Sequence, residues 1–387
     1  MLLNRRAQLA VGLALALLAL LALVSSRSRV TDVVLPRSPA TPTVLPATSY
    51  RPDVDRWDEW QSPNATASPQ RSDIRAAFVI LARNSDLGGI LSSMRQIEDR
   101  FNRRYHYPFV FINNEDFTDH FIKQTSGVAS GEVRYGRTPD GDWGAPDWID
   151  EKRAANARME MGKAGVLYGD SASYRAMCRY FSGPIYRSPL LADFDYYWRL
   201  DPDVKFFCDV LEDPFEVMRS NGYIYGWTIS IYEYRATIET LWETVRGFFR
   251  KRPALLAERN SMDWISNDSD KLTLSRCHWW SNFEIGDLRW FRSEAYTAYF
   301  DHLDHAGGFS YERWGDAPVH SIAVALMLPS DKVHFFDDIG YRHEPFQHCP
   351  SGPKADAARC YCDPDNTYSC TDAWKRMFNQ RKVFGSG

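Results

Sequence analysis

The sequence predicts an α/β domain on a mixed, mainly parallel central sheet, preceded by a membrane anchor and a stalk. Three observations predict it. The apolar runs AAFVILA and YPFVFIN bracket a stretch with helical spacing, which makes a strand–helix–strand unit. A third run, FDYYWRL, is aromatic throughout and ends on two aspartates. Ahead of all three lie a long apolar run and a segment rich in proline, serine and threonine.

Residues 1–6, with Arg5 and Arg6, read as a cytoplasmic tail. Leu9 to Val24 is uninterrupted apolar sequence. Sixteen helical residues cover about 24 Å, short of a ~30 Å hydrocarbon core, and the flanking residues extend the span to 7–26. A signal-anchor and a cleaved signal peptide both fit, and the length of the run favours the anchor. Arg27 and Arg29 on the far side weaken the charge asymmetry. Either way the remainder enters the secretory lumen. Residues 27–72 carry seven of the twenty-one prolines and no apolar period. Such a segment cannot bury enough surface to offset its ordering entropy, so it reads as an extended lumenal stem. Asn64-Ala65-Thr66 and Asn267-Asp268-Ser269 are glycosylation sequons.

The domain is read as residues 73–387. AAFVILA, from Ala76, is a buried strand by length and composition. Asn84, Ser85 and Asp86 supply helix-start chemistry, and Leu87, Ile90, Leu91, Met94, Ile97 and Phe101 then line one helix face. Tyr107 to Asn113 is the second strand. Helices follow over about Ile149–Leu167 and through SASYRAMCRYF, which puts Tyr174, Met177 and Cys178 near one stripe. FDYYWRL is the next strand. Asp213-Pro214 opens a short helix, YIYGWTIS is a strand, and Ala236–Arg252 is an amphipathic helix. Lys+Arg 46 against Asp+Glu 50 leaves a net charge of −4, with no electrostatic reason to expect nucleic acid as a partner.

Seven cysteines are present. Cys349, Cys360, Cys362 and Cys370 fall in a tail without periodicity, where at least one disulfide is expected in an oxidising lumen. Zinc is the alternative, but the spacing lacks paired C-x-x-C. The odd total leaves a thiol free or paired between chains.

Several residues could carry chemistry. Arg83 lies just past the first strand, where ligands bind in open α/β sheets, although a solvated turn arginine reads the same way. Asp201 and Asp203 flank Pro202, whose fixed φ makes a stiff presentation of oxygen donors. Such donors suit Mg²⁺ or Mn²⁺ with positions left for a diphosphate, whereas a bare D-x-D is more often a polar turn. Glu284 follows Trp279, Trp280 and Phe283, an aromatic setting that perturbs a carboxylate and excludes water from a reacting sugar. In isolation it could equally cap or ion-pair a helix. Trp279 and Trp280 are read as acceptor-side walls, and Asp316 follows in YERWGDAP. His334, Asp337, Asp338, His343 and His348 form a last polar group, any one histidine of which could be a ligand or a satisfied polar residue.

Taken together, MCRYFSGPIY, YYWRLDPDVKFFCD, CHWWSNFEIGD, SEAYTAYFDHLDHAGGFSYERWGDAPVHS and VHFFDDIGYRHEPFQHCP resemble the fungal α-1,2-mannosyltransferases of the Kre2/Mnt1 family, glycosyltransferase family 15. The resemblance runs from about Arg75 to Pro350. It implies a type II Golgi membrane protein with a lumenal GT-A domain. It also implies GDP-mannose as donor, Mn²⁺ as cofactor, and retaining transfer to O-linked or N-linked mannans of glycoproteins. Carried over by motif, Glu284 matches the proposed nucleophile, and Asp201 and Asp203 match the metal and nucleotide motif. His343 matches the manganese-ligating histidine. Tyr174 matches a tyrosine at the donor site near the reacting centre, and Asp316 an acidic residue of the acceptor side. The family usually has Glu where this chain has Asp201, so a direct bond from Asp201 requires the metal to shift or a water to intervene. Retention allows either attack by Glu284 to give a mannosyl-enzyme, or acceptor attack on the face from which GDP leaves. A mannan-binding lectin is the non-enzymatic alternative. A metal-dependent phosphodiesterase would require more His and Asp ligands for two metals.

Overall fold

The computed structural model describes residues 48–50 and 73–376, apart from 267, 269, 366–369 and 373. The predicted anchor over 7–26 and the sequons at Asn64 and Asn267 lie outside the described residues. Among the described residues no helix is long and apolar enough to cross a membrane.

The strands in chain order are β1 (Thr48–Tyr50), β2 (Ala76–Leu81), β3 (Phe109–Asn113), β4 (Val133–Arg137), β5 (Tyr196–Arg199), β6 (Lys205–Phe206), β7 (Tyr225–Trp227), β8 (Ser230–Tyr232), β9 (Cys277–Trp279), β10 (Glu284–Asp287), β11 (Val333–Phe335), β12 (Tyr341–His343) and β13 (Phe346–His348). The principal helices are α1 (Leu87–Arg100), α2 (Asp119–Ser126), α3 (Glu151–Lys163), α4 (Ala172–Ser182), α5 (Pro214–Asn221), α6 (Leu241–Lys251), α7 (Glu294–Ala306) and α8 (Asp316–Met327). An eight-stranded sheet runs β1-β4-β3-β2-β5-β10-β7-β11. β4, β3, β2 and β5 are mutually parallel, β7 and β11 pair in parallel, and β10 runs antiparallel between β5 and β7. The sheet is therefore mixed and mainly parallel, as the strand–helix–strand reading requires.

Period-two alternation splits the core. Ala77, Val79, Val110, Ile112, Tyr197, Tyr225 and Trp227 face one layer, which α4, α6, α7 and α8 cover. Phe78, Ile80, Phe109, Phe111, Trp198 and Ile285 face the other, with α1, α2 and α5. Buried on both faces, β2 and β3 carry almost no polar residue, which is why their runs read as continuously apolar. Local caps set the helix starts. Ser171 accepts from Tyr174 N at 3.0 Å to begin α4, and Asp213 accepts from Phe215 N at 3.0 Å to begin α5.

Two expectations change. Thr48–Tyr50, which composition places in the stem, pair antiparallel with β4 and form the edge of the sheet. The folded domain therefore begins before residue 73, because pairing satisfies backbone groups whatever the side-chain composition. YIYGWTIS is not one strand: β7 joins the large sheet, while β8 turns away to pair with β9.

Among the described residues three disulfides form, Cys208–Cys360, Cys277–Cys370 and Cys349–Cys362, and Cys178 is a buried free thiol. One bridge lies within the tail, and the other two tie the tail to the body.

Candidate active site

β2 and β5 run parallel side by side, so Arg83 and the Asp-Pro-Asp turn leave the same edge of the sheet. Arg83 caps the turn after β2. Its N–H donates to Asp86 at 2.9 Å and its guanidinium reaches the same carboxylate at 3.3 Å, while the side chain stays largely exposed. Asp201 and Asp203 behave differently. Asp201 accepts a bidentate pair from Arg199, Nε at 2.8 Å and Nη2 at 3.1 Å. Asp203 is exposed and its carboxylate has no hydrogen-bond partner among the described residues. Its φ of 59° lies in the left-handed region, which Asp tolerates better than most residues. Its N–H donates to Gly89 O at 3.2 Å. A Cβ on Gly89 would stand 2.6 Å from Asp203 Oδ2, so any larger residue would turn the carboxylate from this position.

β6 follows immediately and pairs antiparallel with β12, Phe206 against Tyr341 and Lys205 against Arg342. His343 is the last residue of β12 and Asp203 lies two residues before β6, so the β6–β12 pairing ties together the segments that carry them. The His343 ring meets Trp280 edge-on at 4.8 Å. Trp280 therefore packs beside His343. His334 and His348 stand apart on β11 and β13. His334 stacks on Tyr223 at 4.6 Å, and His348 bonds to Asp337 O at 3.0 Å.

Among the described residues no three His, Cys, Asp or Glu side chains gather as a metal-holding group. The available donors are the unpartnered Asp203 carboxylate and the His343 imidazole. That set fits a divalent cation sharing its shell with a diphosphate and water. Asp201 could join them through the lone pairs that its bidentate bond to Arg199 leaves free.

Arg199 is the hub that sequence reading passed over. It is 6% exposed, and Nη1 reaches Asp316 Oδ2 at 2.6 Å. Ser281 Oγ donates to the same oxygen at 2.6 Å, and the guanidinium lies 3.9 Å from the Phe181 ring. Burial pushes the Asp316 pKa up, but Arg199, His320 and Ser281 more than offset this and hold it below the ordinary carboxylate value. An arginine within an otherwise apolar strand was the available clue.

Glu284 is 0% exposed. Tyr197 OH donates to Oε1 at 2.8 Å, Tyr225 OH to Oε2 at 3.0 Å, and His320 Nδ1 lies 3.0 Å from Oε2. Gly286 makes this possible, since a Cβ there would be 2.5 Å from the Tyr197 ring. His320 also contacts Phe181 O and Tyr186 OH, each at 3.0 Å. Burial opposes charge on His320, yet the adjoining Glu284 carboxylate raises its pKa above the ordinary histidine value. Both oxygens of Glu284, the residue expected as nucleophile, are thus hydrogen-bonded within a buried network. His320 was legible in part, because it sits four residues after Asp316 on one helix face.

Trp279, expected on the acceptor side, lies in the core. It is fully buried, stacked on Trp264 at 4.4 Å and packed on Tyr225, Trp227 and Trp374. Tyr174, on α4, stacks on Tyr168 at 4.3 Å, and Arg313 stands 5.2 Å from its ring centroid. Burial raises its hydroxyl pKa well above the ordinary tyrosine value, so it keeps its proton near neutrality. Arg313 also pairs with Glu233 at 3.2 Å.

The chain was compared with known proteins. A family model described as glycolipid 2-alpha-mannosyltransferase matches residues 49–379. Glycolipid 2-alpha-mannosyltransferase 1 of Candida albicans is 49% identical over 318 residues, 81% of this chain and 74% of that protein. Alpha-1,2 mannosyltransferase KTR1 of Saccharomyces cerevisiae is 50% identical over 315 residues, 80% of this chain and 79% of the relative. Core-mannan synthase A of Aspergillus fumigatus, solved in an Mn/GDP form, has a TM-score of 0.73 at 40% identity, covering 78% of this chain and 83% of its own. An Asp-Pro-Asp turn at the end of a mainly parallel GT-A-like sheet, an arginine hub and a family match over most of the length agree, and the chain belongs to glycosyltransferase family 15, the glycolipid 2-alpha-mannosyltransferases.

Proposed function

We propose that this protein transfers mannose from GDP-mannose to the 2-hydroxyl of a terminal mannose on O-linked or N-linked glycans of glycoproteins, with retention of the α configuration. The observation that supports this reading is the pairing of β6 with β12, which ties the strand ending on His343 to the segment that follows the unpartnered Asp203. GDP in a related structure, together with Mn, supports the choice of donor and cation.

Asp203 and His343 would hold Mn²⁺, and Asp201, bonded to Arg199, could join them. Bound there, the cation neutralises charge that develops on the departing diphosphate. The chain's own residues do the rest. Arg199 adds fixed positive charge between the nucleotide side and Asp316. Asp316, held ionised, orients the acceptor through the polar groups around it. Tyr174, protonated, donates a hydrogen bond where sugar and acceptor meet. With Glu284 sealed in the core, retention is best served by acceptor attack on the face from which GDP leaves, the departing phosphate taking the proton.

Full-length protein incubated with labelled GDP-mannose and methyl α-mannoside should give an α-1,2-linked dimannoside with Mn²⁺ and none with EDTA. Absence of transfer with Mn²⁺ would overturn the reading, and a β-linked product would overturn retention. The apolar run at Leu9 to Val24 supports a single-pass, lumen-facing Golgi protein. Resistance to carbonate extraction and protease protection of the domain in sealed vesicles would check that.

A further inference from the structure

The sheet β13-β12-β6 is very small. β6 has two residues, and β12 and β13 have three each. A sheet of this size is marginal alone. Yet it joins the segment that follows Asp203 to the strand that ends on His343, through only two registered pairs between β6 and β12.

The tail fastens both of its outer strands. Cys360 bridges to Cys208, two residues past β6, and Cys362 bridges to Cys349, one residue past β13. Between them Tyr361 N donates to Phe207 O at 3.2 Å, and the two rings meet edge-on at 5.2 Å. Asp209 N donates to Ala358 O at 2.8 Å. On the opposite edge Gln347 Nε2 donates to Asp363 O at 3.1 Å. The bridge also packs on the approach to β12, since a Cβ at Gly340 would lie 2.4 Å from Cys208 Sγ.

We propose that Cys360-Tyr361-Cys362 is a positioning clamp for the nucleotide side of the site. One short segment holds both outer strands, and so fixes the spacing at which Asp203 and His343 can share a cation. The proposal rests on the reading that these two residues hold the divalent ion. Ligand sets work only within about 0.5 Å of the required geometry, and two-residue strand pairs do not enforce that alone. The Cys277–Cys370 bridge ties the tail to β9 instead, and so supplies an internal control.

The test is calorimetric titration of full-length protein with GDP, in Mn²⁺ and in EDTA. Cys208→Ser with Cys360→Ser, and Cys349→Ser with Cys362→Ser, should each weaken Mn²⁺-dependent GDP affinity by about 10- to 100-fold, the range that lost outer support costs a metal site. KM for GDP-mannose should rise more than kcat falls, and affinity in EDTA should not move. Cys277→Ser with Cys370→Ser should bind GDP as wild type does. Because a lost disulfide can compromise folding, one glycine inserted between Tyr361 and Cys362 provides a second variant that keeps both bridges but loosens their spacing. It too should weaken Mn²⁺-dependent binding. If folded clamp variants and the insertion bind as wild type while Asp203→Asn and His343→Ala bind weakly, the clamp is refuted and the cation reading stands. If Asp203→Asn and His343→Ala bind as wild type, the cation reading fails and the clamp falls with it.

Discussion

At the scale of single residues, Glu284 shows how environment redefines a carboxylate. Three donors close around it, and its exposure is 0%. A nucleophile would lose nearly all turnover on Glu284→Gln with little change in stability. The buried network predicts the reverse: a lower melting midpoint, from about 1–3 kcal/mol of lost hydrogen bonding, with most turnover retained. Measuring melting and kcat on one preparation separates the two. His320 contributes a pH dependence whose sign follows from its raised pKa. Its stabilisation is fully present below the ordinary histidine value near 6.5 and fades as pH climbs through the higher folded value. Urea melts of His320→Gln should therefore lack the part of the neutral-to-alkaline decline that wild type shows. Asp316 works in the opposite sense. Its contribution holds above 3.8 and is lost as pH falls through the depressed folded value.

At the scale of elements, the turn after β5 is shaped by a helix distant in sequence. Gly89 in α1 gives Asp203 room, and Gly89→Ala should turn the carboxylate away from its present position. The expected result is weaker Mn²⁺-dependent GDP binding with a nearly unchanged melting midpoint. Wild-type affinity in that variant would refute the close-approach account. Arg199 joins β5 to the start of α8 through Asp316. Arg199→Ala leaves two buried or half-buried carboxylates without their cation, and should cost about 3–5 kcal/mol in denaturant melts. Strand and helix positions were legible here because apolar period and capping chemistry are local. The hub was not, because the strand and helix that Arg199 connects are 117 residues apart in sequence.

At the scale of the whole molecule, the folded unit is longer than its composition advertises. β1 completes the sheet beyond β4 from within a proline-rich segment. A form starting at residue 47 should therefore melt higher and aggregate less than one starting at residue 73, which bares the β4 edge. Equal melting and solubility of the two forms would count against a structural role for β1. The disulfides have the same long reach. Two of the three join the tail to the body, across 152 and 93 residues.

The sequence alone determined the α/β class, the order of most elements, the Asp-Pro-Asp turn and the family. These depend on periodicity, turn chemistry and long motifs, each readable along the chain. Only the tertiary structure decided that Trp279 and Glu284 belong to the core, that Arg199 bonds both Asp201 and Asp316, and that β6 pairs with the strand carrying His343. Burial and contact across the sheet depend on which distant strands become neighbours. An aromatic setting looks the same in one dimension whether it lines a cleft or fills a core.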